Sequence, residues 1–162
     1  MGWAAVVLAG TALAGCGAAY PKPDSRIGLG APFNVVDLRP ADGRLAKQLA
    51  EAASDAAASN LRPYAELTSA WCQACHWLDR SLSRQSLAEA FGGTYVVRID
   101  IDRFEGRLAG TGLDYHVGPL PAFVALDHTG RPIGDWVDRT TWGSDVPTQA
   151  APVLAEFFHW WE

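Results

Sequence analysis

Residues 70–77 read "AWCQACHW", and two patterns overlap in them. As Trp-Cys-x-x-Cys, the stretch is a dithiol able to exchange electrons with other thiols. As Cys-x-x-Cys-His, with Cys72, Cys75 and His76, it is the attachment pattern of a c-type haem. The flanking residues discriminate between the two. "YAELTSA", immediately before, reads as a strand running up to Trp71. Gln73 to Leu82 reads as a helix, with Leu78 and Leu82 four apart on one face. The cysteine pair therefore sits where a strand hands over to a helix. There Cys72 meets the positive end of the helix dipole and unpaired N–H groups, which lower a thiol pKa. A thiolate attacks a disulfide and a thiol hardly does, so Cys72, open to solvent, is the expected nucleophile. Cys75, one turn along and deeper, is the expected resolving thiol.

Further out, the chain alternates. "FNVVDL" reads as a short strand, and Asp42 to Ser59 as an Ala-rich helix with Leu45, Leu49 and Ala53 at helical spacing. Arg62-Pro63 breaks that helix. "SLAEAF" is a second helical piece after the cysteines, with Ser86 and Glu89 at capping-box spacing, and Gly92-Gly93 ends it. "TYVVRIDI" is a β-branched run expected as a buried central strand. "RFEGRLAGTGL" is a short helix or a loop. "GPLPAFVALDHTGRPIGDWVD" reads as a hairpin turning at His128-Thr129-Gly130, with Trp136 and Trp142 expected as a rim near the site. From Pro147 a last helix carries Leu154, Phe157, Phe158 and Trp161 on one face. The order describes an α/β mixed sheet with helices on both faces.

The 162 residues suit one domain, and 49% hydrophobic against 19% charged residues excludes wholesale disorder. A net charge of −5 with scattered basic residues argues against a nucleic-acid partner. The third cysteine, Cys16, stands apart, behind the apolar "WAAVVLAGTALAG". That run is short of the roughly 20 residues a bilayer span needs, and it has the length and small-residue ending of a signal-peptide core. Its end, "LAGC", resembles the lipobox of bacterial lipoproteins, although "MGW" carries no Lys or Arg and the first basic side chain is Lys22. The resemblance implies residues 1–15 as signal peptide, Cys16 as the lipidated first residue, and residues 16–32, rich in Gly, Pro and Ala, as a tether. Residues 33–162 are then the folded domain, held outside the cytoplasm where disulfide chemistry is possible.

"ELTSAWCQAC" together with "GPLPAFVALDHTGRPI" resembles the thioredoxin superfamily, in particular the C-terminal domain of DsbD-type reductases. The resemblance covers approximately residues 42–161 and implies a thioredoxin-like fold. It also implies that Trp71 is the Trp before the first cysteine, and that Glu66 is a buried acid able to take the Cys75 proton. By the same match Pro121 is a cis-proline, with Leu120 before it, that helps present substrate; Pro119 is an additional proline. No cofactor beyond a redox-active Cys72–Cys75 disulfide is implied. The partners implied are protein dithiols and disulfides, and a membrane electron donor of the DsbD type. Ala74 before Cys75, with Glu66 behind, is closer to those reductases than to strong oxidants.

Other readings stay open on the residues. Haem attached at Cys72 and Cys75 with His76 as axial ligand needs a second ligand, and maturation would remove Met1, leaving His116, His128 and His159. Copper or zinc held by Cys72, Cys75 and a distant His such as His116 is a further alternative. A thioredoxin-like adaptor without turnover is another. His76 otherwise serves either to stabilise the Cys72 thiolate or as a solvated surface side chain.

Overall fold

The computed structural model describes residues 32–115 and 118–160. Cys16, the leader and nearly all of the tether, as well as His116 and Trp161, lie outside the described residues. Strand pleating explains how the sheet divides its side chains. In β3 (Thr94–Asp100), Tyr95, Val97 and Ile99 face one core layer, while Val96 and Arg98 point to the other side. The remaining strands are β1 (Asn34–Asp37), β2 (Arg62–Thr68), β4 (Ala122–Leu126) and β5 (Pro132–Asp138). They lie in the order β1-β3-β2-β4-β5. β3 is parallel to β1 and β2, and β4 is antiparallel to both β2 and β5. The central strand is thus β2, the one that leads into the cysteines.

Helices cover both faces. On one, α1 (Leu45–Ala58) packs Leu45, Leu49, Ala52 and Ala56 against Ala65, Leu67, Val97 and Val124. On the other, α3 (Gln85–Phe91) and α5 (Pro147–His159) pack Phe91, Leu154 and Phe158 against Tyr64, Val96 and Phe123. Phe158 meets the rings of Phe91, Tyr64 and Phe123 at centroid distances of 4.7, 4.9 and 5.5 Å, within the range where tilted and edge-on aromatic pairs are favourable. The Tyr64 hydroxyl donates to the Phe158 carbonyl at 2.8 Å. Burial pushes that phenol up to about 12, so it stays a donor. α2 (Gln73–Ser81) contributes to both layers, through Cys75 to the first and Leu78 to the second.

Several local expectations are corrected. α1 begins at Leu45 rather than Asp42, because Pro40–Asp42 make a separate 3-10 turn and Gly43 leaves it at φ 119°. Pro63 lies inside β2. Arg62 N–H points to β3 through the Gly93 carbonyl, so the missing N–H of Pro63 falls on the β4 side, and β4 pairs only from Tyr64 onward. The Ser86–Glu89 capping box does not form. Arg84 is the N-cap of α3, which places Ser86 within the first turn, and Gln85 donates to Glu89 at 2.9 Å. Trp142 forms no rim. The short α4 (Arg139–Trp142), capped reciprocally by Asp138 and Thr141, turns it into the core at 4% exposure. Of the two readings of "RFEGRLAGTGL" the loop holds: it is a succession of turns that runs into a 3-10 turn at Leu113–Tyr115.

Candidate active site

β2 ends at Thr68, and the three residues Ser69–Trp71 carry the chain from the sheet to the start of α2. Ser69 secures this crossing. Its buried hydroxyl donates to Asp102 Oδ2 at 2.6 Å and accepts the Trp71 N–H at 3.4 Å, while its carbonyl accepts the Cys72 N–H at 3.1 Å. Cys72 is the N-cap of α2, and its Sγ accepts the Cys75 N–H at 3.1 Å. A sulfur therefore holds the place usually taken by a Ser or Asp oxygen, at the positive end of the helix. Cys72 and Cys75 are disulfide-bonded, with Cα atoms 5.3 Å apart.

The expected contrast between an open Cys72 and a deep Cys75 does not appear in exposure, since both are 5% exposed in the disulfide. The asymmetry lies in what each one faces. Cys72 lines an open groove of about 680 Å³, bounded by Trp71, Leu108, Leu113, Pro119 and Leu120. Cys75 is packed into the core on the α1 side. Trp71 stands out from the surface at 67% exposure. The Leu120–Pro121 peptide bond is cis, and Leu120 shares the groove with Cys72. His76 is on the surface, its Nε2 donating to the Ala70 carbonyl at 2.8 Å, so the ring ties helix to loop.

Glu66 is buried at 5% exposure in the central strand, not at a wetted sheet edge. Directly across the ladder in β3 is Arg98, whose Nε lies 3.6 Å from Glu66 Oε2. The same guanidinium reaches Asp79 of α2 at 2.8 Å and Asp37 of β1 at 3.8 Å. Burial pushes the Glu66 carboxyl up to about 7; Arg98 opposes that rise, and Asp79 and Asp37 add to it. The acid thus sits near neutrality, where a carboxyl both gives and takes protons. Sequence reasoning missed Arg98, Asp79, Ser69 and Asp102. Arg98 left a signal, being the charged residue within "TYVVRI".

Of the other described histidines, neither His128 nor His159 joins the pair. His128 belongs to the hairpin turn, and the ring of His159 on α5 contacts the Ala90 carbonyl at 3.2 Å. Among the described residues no three of His, Cys, Asp or Glu gather into a metal-binding group.

A disulfide-bonded Cys-x-x-Cys at the start of α2, a cis-proline before β4 and the β1-β3-β2-β4-β5 sheet occur together in one frame of helices on both faces. The fold is thioredoxin-like. A disulphide isomerase from Xylella fastidiosa Temecula1 is similar in structure, with a TM-score of 0.51 and 20% identity over 70% of this chain and 87% of its own. A single-site mutant of thioredoxin from Halobacterium salinarum aligns at TM-score 0.48 and 21% identity, over 81% of this chain and 96% of that one. Thioredoxin from Trichomonas vaginalis aligns at 0.47 and 20%, over 76% and 96%. No protein-family model and no curated protein sequence matches the chain. Within this thioredoxin-like frame Cys72 lines a mainly apolar groove, and a neutral-range acid is linked through Arg98 to the helix that carries the cysteines.

Proposed function

We propose that the chain is a thiol:disulfide oxidoreductase acting on protein substrates, used in the reductive direction. The observation that carries this reading is the Cys72–Cys75 disulfide at the α2 N-terminus, opening onto the groove shared with Leu120. In the reduced protein the Cys72 thiolate attacks a substrate disulfide. One substrate sulfur leaves as a thiolate, and Cys72 becomes joined to the other. Glu66 takes the Cys75 proton, and the Cys75 thiolate attacks Cys72 Sγ. The mixed disulfide breaks, the second substrate sulfur leaves, and the Cys72–Cys75 bond reforms. Trp71 and the Leu120–Pro121 backbone flank the bound polypeptide, which adds to that backbone as an extended strand.

The same reading places the domain outside the cytoplasm, lipid-anchored through Cys16, and recharged by a membrane dithiol donor of the DsbD type. Support for the anchor is confined to the sequence resemblance around "LAGC". Incorporation of labelled palmitate that is lost in Cys16→Ala checks it.

The deciding experiment is turnover of a disulfide-bonded protein with single-cysteine variants. Cys72→Ser should abolish it, and Cys75→Ser should accumulate a covalent substrate adduct visible by intact mass. Turnover by Cys72→Ser at the parent rate refutes the mechanism. A Soret band with a haem-sized mass on Cys72 and Cys75 establishes the haem alternative instead. A redox titration then fixes direction, thioredoxin lying near about −270 mV and DsbA near about −120 mV.

A further inference from the structure

Three carboxylates surround one guanidinium, that of Arg98, which joins β1 and β2 to α2. Arg98 makes its short contact, 2.8 Å, with Asp79, whereas Glu66 and Asp37 lie at 3.6 and 3.8 Å. Asp79 is one helical turn beyond Cys75 on α2, and its side chain is 53% exposed, so water meets much of the cost of its charge. Glu66, at 7%, has no such help and depends on Arg98. The geometry therefore sets an exposed acid and a buried acid in competition for the same cation. The remaining neighbours do not change this balance. β4 places Phe123 opposite Glu66, and the charges that act on Glu66 are Arg98 from β3, Asp79 from α2 and Asp37 from β1.

We propose that Asp79 is a positioning residue which, by drawing the Arg98 guanidinium toward α2, keeps it from closing on Glu66 and so leaves Glu66 free to exchange a proton with Cys75. The inference rests on the proposed role of Glu66 in the dithiol reaction, and it makes the helix that carries the cysteines set the strength of its own base. Without Asp79 the guanidinium is free to close on Glu66 as a buried ion pair. Such a carboxylate stays ionised to lower pH and is a weaker base toward a thiol.

The test uses the full folded domain in its parent, Asp79→Asn, Asp79→Glu and Glu66→Gln forms. The first readout is the titration of the Glu66 side-chain carboxyl by carbon NMR in the oxidised protein, which requires no turnover. The second is the pH profile of mixed-disulfide resolution in single turnover. Asp79→Asn should move the Glu66 midpoint, and with it the acid limb of resolution, down by roughly half a pH unit to one unit, and Asp79→Glu should restore both. Because Asp79 is half-exposed, a merely structural loss would lower the amplitude or the melting temperature without moving the midpoint. An unmoved midpoint in Asp79→Asn overturns the proposal and leaves the dithiol mechanism standing. A limb that persists in Glu66→Gln overturns the proposal together with the role of Glu66, while the cysteine variants still decide the dithiol reading separately.

Discussion

Burial of Glu66 between β3 and β4 strips its carboxylate of hydration, and Arg98 at 3.6 Å returns only part of that loss. The consequence for stability has a definite sign. The acid titrates near 7 in the folded protein against an ordinary value of 4.5, so the folded state binds the proton more tightly in between. Its contribution to stability is complete below about 4.5 and is lost as pH rises through 7. Glu66→Gln removes this dependence. Urea unfolding of the oxidised protein at a series of pH values should show the parent losing up to about 3 kcal/mol relative to the Gln variant between pH 5 and pH 8. Parallel stability curves would refute a raised Glu66. In the sequence Glu66 stands out only through the resemblance of "ELTSAWCQAC" to the thioredoxin superfamily, and strand alternation alone leaves it equally able to face water. Its burial was settled by β4, which the chain adds on the far side of β2 from β3.

Among the elements, the hairpin shows how a turn depends on what it packs against. Asp127 Oδ1 accepts the Thr129 and Arg131 N–H groups at 2.8 and 2.9 Å, and the Gly130 N–H returns to the Asp127 carbonyl at 2.9 Å. Gly130 has φ +79°, and a Cβ there would lie 2.4 Å from the Leu49 carbonyl carbon of α1. Gly106 has a similar φ of +70° with open space around it. Gly106→Ala should then cost only the left-handed backbone penalty of about 1–2 kcal/mol. Gly130→Ala must also push the turn off α1, for about 2–4 kcal/mol. Denaturant midpoints compare the two directly, and equal losses would mean that the contact with α1 is immaterial. The turn itself was legible, since Gly after polar residues between two apolar runs signals one. Its seat on α1 was not legible, because nothing local relates Gly130 to Leu49. The capping box read at Ser86 failed for a related reason: the helix starts two residues earlier, with Arg84 as its N-cap and Gln85 reaching Glu89.

For the molecule as a whole, the aromatic layer beneath α3 and α5 is the joint that closes the sheet. Phe158 is fully buried among Phe91, Tyr64 and Phe123, and its carbonyl receives the Tyr64 hydroxyl. Phe158→Ala leaves a cavity and should cost about 3–5 kcal/mol, read as a lower denaturant midpoint with the slope kept. Tyr64→Phe keeps the ring and removes one buried hydrogen bond, for about 1 kcal/mol. A Phe158→Ala loss no larger than that of Tyr64→Phe would show that the layer can collapse around the gap. The dithiol is tied into the same structure, because α2 packs Leu78 into this layer and Cys75 into the opposite one.

The amino-acid order alone determined the five strands, the helices α1, α2, α3 and α5, the handover from β2 to α2 at Cys72, and the placing of Leu154 and Phe158 on the buried face of α5. These follow from periodicity, turn chemistry and propensity, which act over a few residues and can be read from them. The tertiary structure decided that Arg98 lies opposite Glu66, that Asp79 draws it toward α2, that Ser69 is bound to Asp102, and that Trp142 turns inward. Each of these depends on strand register or on helix docking between segments far apart in the chain, and no local pattern specifies which distant charge a buried carboxylate will meet.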